Sequence, residues 1–147
     1  MNVQPTWSYE TRLEADAVSV AVARDFVRVR LARHELWELV EDLSLVVSEL
    51  ATNAVVHAVT PFAVQLVGND RAVRLTVSDA SSGEVARRRS ATLLDPGGRG
   101  LLIVGRLSRE WGVTAAVGGG KSVWASFDLD PTSPNGTCSA GPVNGKA

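Results

Sequence analysis

Cysteine is nearly missing from this 147-residue chain: Cys138 stands alone, in a polar C-terminal stretch. No internal disulfide can form, and a cysteine-based metal cluster is excluded. Lysine occurs only at 121 and 146, against thirteen arginines, a preference that reads as genome bias rather than function. Neither charge sign dominates. The formal net charge is −1, so no broad electrostatic field argues for DNA, RNA or an anionic membrane as the main partner. No apolar run approaches the roughly 20 residues that cross a bilayer. The opening MNVQPTWSYE lacks the basic-then-apolar layout of a secretory leader, which makes the cytoplasm the default location. What is present is ordinary for a globular protein: 45% hydrophobic and 21% charged residues, in a length that suits one domain with a proper core.

Periodicity organises the chain. Residues 1–11 form an N-terminal segment able to add an edge strand through Trp7 and Tyr9, and 12–130 read as the globular domain. A first helix is expected over 12–33, with Leu13, Ala17, Val20, Ala21, Val27 and Leu31 at helical spacing. A second apolar set on it, Val18, Val22, Phe26 and Val29, could serve homodimerisation or partner docking, or pack against the N-terminal segment. A second helix is expected over 36–58, its stripe running Leu36, Leu39, Val40, Leu43, Val46, Val47, Leu50 and Ala54, with Pro61 marking its end. The period then changes to two. FAVQLVG (62–68) and RAVRLTVSD (71–79) are strands joined at Asn69-Asp70. Residues 80–99 are loop-like, GLLIVGRL (100–107) is a short helix, and WGVTAAVGGG with KSVWASFDLD gives a last hairpin. In that hairpin Val123, Ala125, Phe127 and Leu129 share one face. From Pro131 to Ala147 the chain is rich in Pro, Gly and Ser, the composition of a disordered tail. This order of elements implies an α+β fold, a two-layer sandwich with helices on one face of a mixed, mostly antiparallel sheet.

Four polar features interrupt this pattern. In SELATNAVVHA (48–58), Glu49 and Asn53 fall on the border of the buried stripe, and His57 falls within it. The spacing alone is a weak signal, because solvated Glu and Asn with a core His would produce it. Asp79 continues the inward set Val73, Leu75, Val77 and aims a carboxylate at the core side, a costly placement without a hydrogen-bonding partner. A ligand donor such as an exocyclic amine would supply one; capping of the next turn is the other reading. Glycines 97, 98 and 100 precede an apolar helix, where backbone N–H groups can meet an anion. GGGKS (118–122) opens the last strand as a turn, and whether Lys121 or Ser122 reaches a phosphate stays open. It is not a P-loop, since its spacing fails and a strand follows.

In this order the four features resemble the boxes of the Bergerat-fold (GHKL, histidine-kinase-like) ATPases across residues 10–129, and look closest to the small RsbW-like anti-sigma-factor serine kinases. SELATNAVVHA resembles their N box, VSDASSG and GGRGLLIV their two glycine boxes, and GGGKSVWASFDL their final box and strand. The resemblance implies ATP and Mg²⁺ as cofactors. By position, Glu49 would orient or deprotonate the attacking hydroxyl and Asn53 would ligate Mg²⁺. Asp79 would bind the adenine amine, with Gly83 shaping that side. Residues 84–97 would form a lid, with Gly98, Arg99, Gly100 and Leu101 at the phosphates and Ser122 supplying a pocket hydroxyl. Phosphoryl transfer needs mainly positioning and charge neutralisation, so this is a workable minimum. The first glycine box departs from the family's Asp-x-Gly-x-Gly, reading Asp79-Ala80-Ser81-Ser82-Gly83. The run Arg87, Arg88, Arg89 in the lid reads as a solvated loop first, and as a contact to the γ-phosphate or an acidic partner second.

The implied function is an ATP-dependent serine/threonine protein kinase that phosphorylates an antagonist protein and sequesters a sigma factor. The alternative is a non-catalytic, nucleotide-gated protein-binding module of the same fold. The degenerate glycine box favours the second and retention of both Glu49 and Asn53 the first.

Overall fold

Alternation of buried and half-buried residues along FAVQLVG and AVRLTVSD marks strands with one face on a core. The computed structural model describes residues 5–80, 99–115 and 119–129. Within these, five strands form one sheet: β1 (Trp7–Leu13), β2 (Phe62–Gly68), β3 (Ala72–Asp79), β4 (Glu110–Ala115) and β5 (Lys121–Asp128). Their order is β1-β2-β3-β5-β4, and all four pairings are antiparallel. Asn69 closes the β2–β3 turn, its side-chain oxygen accepting from the N–H groups of Arg71 (2.8 Å) and Ala72 (3.0 Å).

Helices α1 (Val18–Arg33), α2 (Val40–Asn53) and α3 (Arg99–Leu107) cover one face of the sheet. Leu43, Val46, Val47 and Leu50 of α2 join Val64, Leu66, Val73, Leu75, Ala125 and Phe127 of the strands in a single core. Val104 of α3 is fully buried in the same cluster. This is the expected α+β two-layer sandwich, its sheet wholly antiparallel among the described residues. No helix among them is long and apolar enough to cross a membrane.

The first helix starts later than its sequence pattern suggests. Residues 7–13 alternate half-buried and exposed and pair with β2 up to Leu13 against Phe62, so β1 takes what looked like the first helical turn. Val18 N–H then donates to Asp16 Oδ1 at 3.1 Å, where the helix begins. Its buried set is Ser19, Ala23, Val27 and Leu31, while Ala17 and Ala21 are exposed. Apolar residues lie all around this helix, so spacing alone could not choose the face. Val18, Val22 and Val29 stay exposed, whereas Phe26 packs on the core. Trp7 stacks on His34 at 4.3 Å and the Tyr9 hydroxyl lies 2.8 Å from His34 Nε2, fastening β1 to the end of α1.

The expected second helix, 36–58, is three pieces. A 3₁₀ turn over Trp37–Leu39 leads into α2, and a π-helical turn over Ala54–Ala58 follows it. Val59 ends the run in the left-handed region (φ 56°), its N–H donating to the Ala54 carbonyl at 2.9 Å. The wider turn changes the phase after Asn53, so Ala54 and Ala58 are buried and His57 is only half-buried. His57 therefore is not the core histidine its phase suggested.

Candidate functional site

Glu49 and Asn53 lie one turn apart on α2, both half-buried beside Leu50, Ala51 and Ala54 of the core stripe. Their border position is as the spacing implied. The Asn53 side-chain nitrogen is buried and has no hydrogen-bond partner among the described residues. A buried donor left unmade costs about 1–3 kcal/mol, which is the situation of a group built to meet an acceptor such as a phosphate oxygen or a bound water. The amide oxygen of the same side chain is the atom that would ligate Mg²⁺. No cluster of three or more His, Cys, Asp or Glu able to hold a metal occurs among the described residues. An ion here would rest on Asn53, phosphate oxygens and water, a donor set that suits Mg²⁺ and its preference for retained waters. The residues present fit the group.

At the end of β3, Asp79 continues the inward face of Val73, Leu75 and Val77, as its alternation implied. Its side chain is 4% exposed, and its Oδ2 lies 3.5 Å from Nζ of Lys121, whose side chain is 3% exposed. Asp79 and Lys121 face one another across the β3–β5 ladder. The carboxylate expected to meet a ligand amine is thus already engaged by a cation from the chain itself. Ser122 is one residue on and points the other way: its Oγ lies 2.7 Å from Ser78 Oγ on the outer face of the sheet. Lys121, not Ser122, shares the face of Asp79. The signal lies in the sequence, since Lys121 is in phase with Val123, Ala125 and Phe127.

Helix α3 opens at Arg99, so Gly100 and Leu101 lie in its first turn. The first four backbone N–H groups of a helix have no partner within it, and they sit at its positive end. α3 packs against α2, which carries Glu49 and Asn53. Gly83, Gly98, Arg87, Arg88, Arg89, the lid region 84–97 and the tail 131–147 lie outside the described residues. The structure therefore puts Glu49 and Asn53 on the border of the buried α2 stripe and Asp79 on the inner face of the sheet, and places Ser122 on the outer face.

Among curated proteins none matches the chain. Among solved structures, the RsbU and RsbW domains of Rv1364c from Mycobacterium tuberculosis are similar in fold, with a TM-score of 0.64 at 22% identity. The match covers 84% of this chain and 32% of that one, so this chain spans about a third of its solved neighbour. Residues 13–127 match the model of the histidine kinase-like ATPase domain, from the last residue of β1 to the penultimate residue of β5. With that span, and with the helix-on-sheet layer that holds Asn53 and Asp79, the chain belongs to the histidine kinase-like ATPase domain family.

Proposed function

We propose that the chain is an ATP-binding serine/threonine protein kinase of the anti-sigma type, which phosphorylates an antagonist protein and sequesters a sigma factor in the bacterial cytoplasm. The observation that carries this reading is the pair Glu49 and Asn53 on one flank of α2, the latter with a buried amide nitrogen awaiting an acceptor. Membership of an ATPase family and likeness of fold to a protein with an RsbW domain support it.

Each residue then has a physical task. Glu49 orients or deprotonates the hydroxyl of the protein substrate. Asn53 offers its amide oxygen to Mg²⁺ and its nitrogen to a phosphate oxygen or water. Mg²⁺, when bound, supplies the charge neutralisation that phosphoryl transfer requires. Asp79 accepts from the base amine, and Gly83 keeps the shaping role that its glycine box implies. Arg99, Gly100 and Leu101 present backbone donors to the phosphates at the start of α3, and Gly98 shares that task by its place in the glycine box. Because the reaction asks mostly for positioning, this set suffices without a covalent intermediate on the enzyme. The exposed valines 18, 22 and 29 of α1 offer an apolar strip to a protein partner or a second copy.

The test is incubation with γ-labelled ATP, Mg²⁺ and a candidate antagonist, repeated with Glu49→Ala and Asn53→Ala. Transfer that is lost in both variants is the expected result. Tight nucleotide binding without transfer to any candidate would instead identify a nucleotide-gated binding module.

A further inference from the structure

The β2–β3 ladder ends with Phe62 opposite Asp79, since the residue before Phe62 is Pro61, which has no N–H to give. One side chain carries the pairing a step further. The backbone N–H of Ala80, directly after Asp79, donates to Oγ1 of Thr60 at 3.1 Å. The same hydroxyl donates to the Pro61 carbonyl at 3.2 Å, which commits its proton there and leaves a lone pair for Ala80. Thr60 follows Val59, whose φ of 56° ends the π-helical turn that begins after Asn53. A β-branched residue keeps that conformation only where its surroundings over-determine it. The chain leaving Asn53 and the chain leaving Asp79 are thus joined by one hydroxyl.

Resting on the reading that Asp79 holds the base of a nucleotide, we propose that Thr60 is a positioning residue for the base end of the site. It touches no ligand and acts through Ala80, the second residue of the first glycine box. Ala80 is exposed, so without the hydroxyl its N–H would turn to water and its backbone would spread over several conformations. Only one of these continues Asp79 in its present direction. Apparent affinity for the base then falls by the fraction of molecules that hold it. The net worth of the bond bounds the effect, a factor of about two to ten. A bond that served folding alone would matter equally to every ligand. Thr60 meets the strand end that carries Asp79, so its loss is felt by ligands that carry a base and not by a bare polyphosphate at the start of α3.

The experiment is titration of the full chain with the Mg²⁺ complexes of ATP, ADP and inorganic tripolyphosphate, by competition with a fluorescent ATP analogue. Wild type is compared with Thr60→Val, which keeps the branched shape without the hydroxyl, and with Thr60→Ser, which keeps the hydroxyl. The valine variant is expected to bind ATP and ADP more weakly by a common factor of about two to ten, with tripolyphosphate unchanged and the serine variant close to wild type. Thr60→Ala removes the same hydroxyl without a branched side chain and is expected to match valine. ATP affinity within about twofold of wild type in the folded valine and alanine variants overturns the inference and leaves the nucleotide reading intact. A serine variant as weak as valine, or an equal loss for tripolyphosphate, does the same. No ATP binding by the folded wild type overturns both.

Discussion

Ser122 Oγ and Ser78 Oγ are 2.7 Å apart across the β3–β5 ladder, on the face of the sheet that turns away from Asp79, Lys121 and the helices. A hydroxyl there is separated from the helix–sheet layer by the thickness of the sheet. Ser122→Ala is therefore expected to change nucleotide affinity less than about twofold, while removing a hydrogen bond worth about 0.5–1.5 kcal/mol. A tenfold loss of affinity in titration would place the pocket on the other face.

The Asp79–Lys121 pair has a direct consequence for stability. Deleting one member of a buried pair strands the other charge away from water, at a cost of about 3–5 kcal/mol. Lys121→Met alone is expected to lower stability by that order in urea unfolding. The double variant Asp79→Leu with Lys121→Met should recover most of the loss, since apolar replacements of a buried pair are often near neutral. Strict additivity of the two single variants would show the pair to be uncoupled.

Two helix ends carry side chains in a conformation that suits glycine. Glu35 (φ 58°) sits just beyond α1, where its N–H donates to the Ala32 carbonyl (2.9 Å) and that of Leu36 to the Leu31 carbonyl (2.9 Å), a Schellman arrangement. Val59 (φ 56°) ends the π-helical turn, and a β-branched residue is strained there. Glu35→Gly and Val59→Gly are each expected to raise stability by about 0.5–1 kcal/mol, relief of left-handed strain exceeding the entropy cost of glycine. The readout is a higher denaturant midpoint with an unchanged m-value.

Asp42, in the first turn of α2, has its carboxyl raised above the ordinary 3.8 by burial and then by the neighbouring Glu41. The folded state thus holds this proton more tightly than the unfolded chain. Its contribution favours folding on the acid side and is lost as pH rises from 3.8 through the raised folded value. Asp42→Asn removes the titration. The stability of that variant relative to wild type is expected to be higher at neutral pH than at about pH 3, where both carry a neutral side chain. Thermal melts at the two values check it, and a difference that moves the opposite way refutes the assignment.

Much of the fold was legible because its signals are local. The stripe from Leu39 to Ala54 and the alternation in 62–68 and 72–79 each reflect one buried face with a fixed repeat. The α1 face was not legible, since valines and alanines surround that helix and only packing against α2 and the sheet selects Ser19, Ala23, Val27 and Leu31. The phase of His57 failed for a different reason. A π-helical turn is a departure from regular spacing that no count of residues anticipates.

The sequence by itself determined the α+β order, the antiparallel hairpins and the placing of Glu49, Asn53 and Asp79 at the edge of a buried layer. These follow from periods of 3.6 and 2 acting on apolar residues. The outward Ser122 follows from its alternation with Val123, Ala125 and Phe127, whereas only the tertiary structure decided that Lys121 meets Asp79. That choice depends on the register between two strands 44 residues apart along the chain. Register is set by the whole sheet packing on its helices, because a slip of one residue would turn every side chain to the other face.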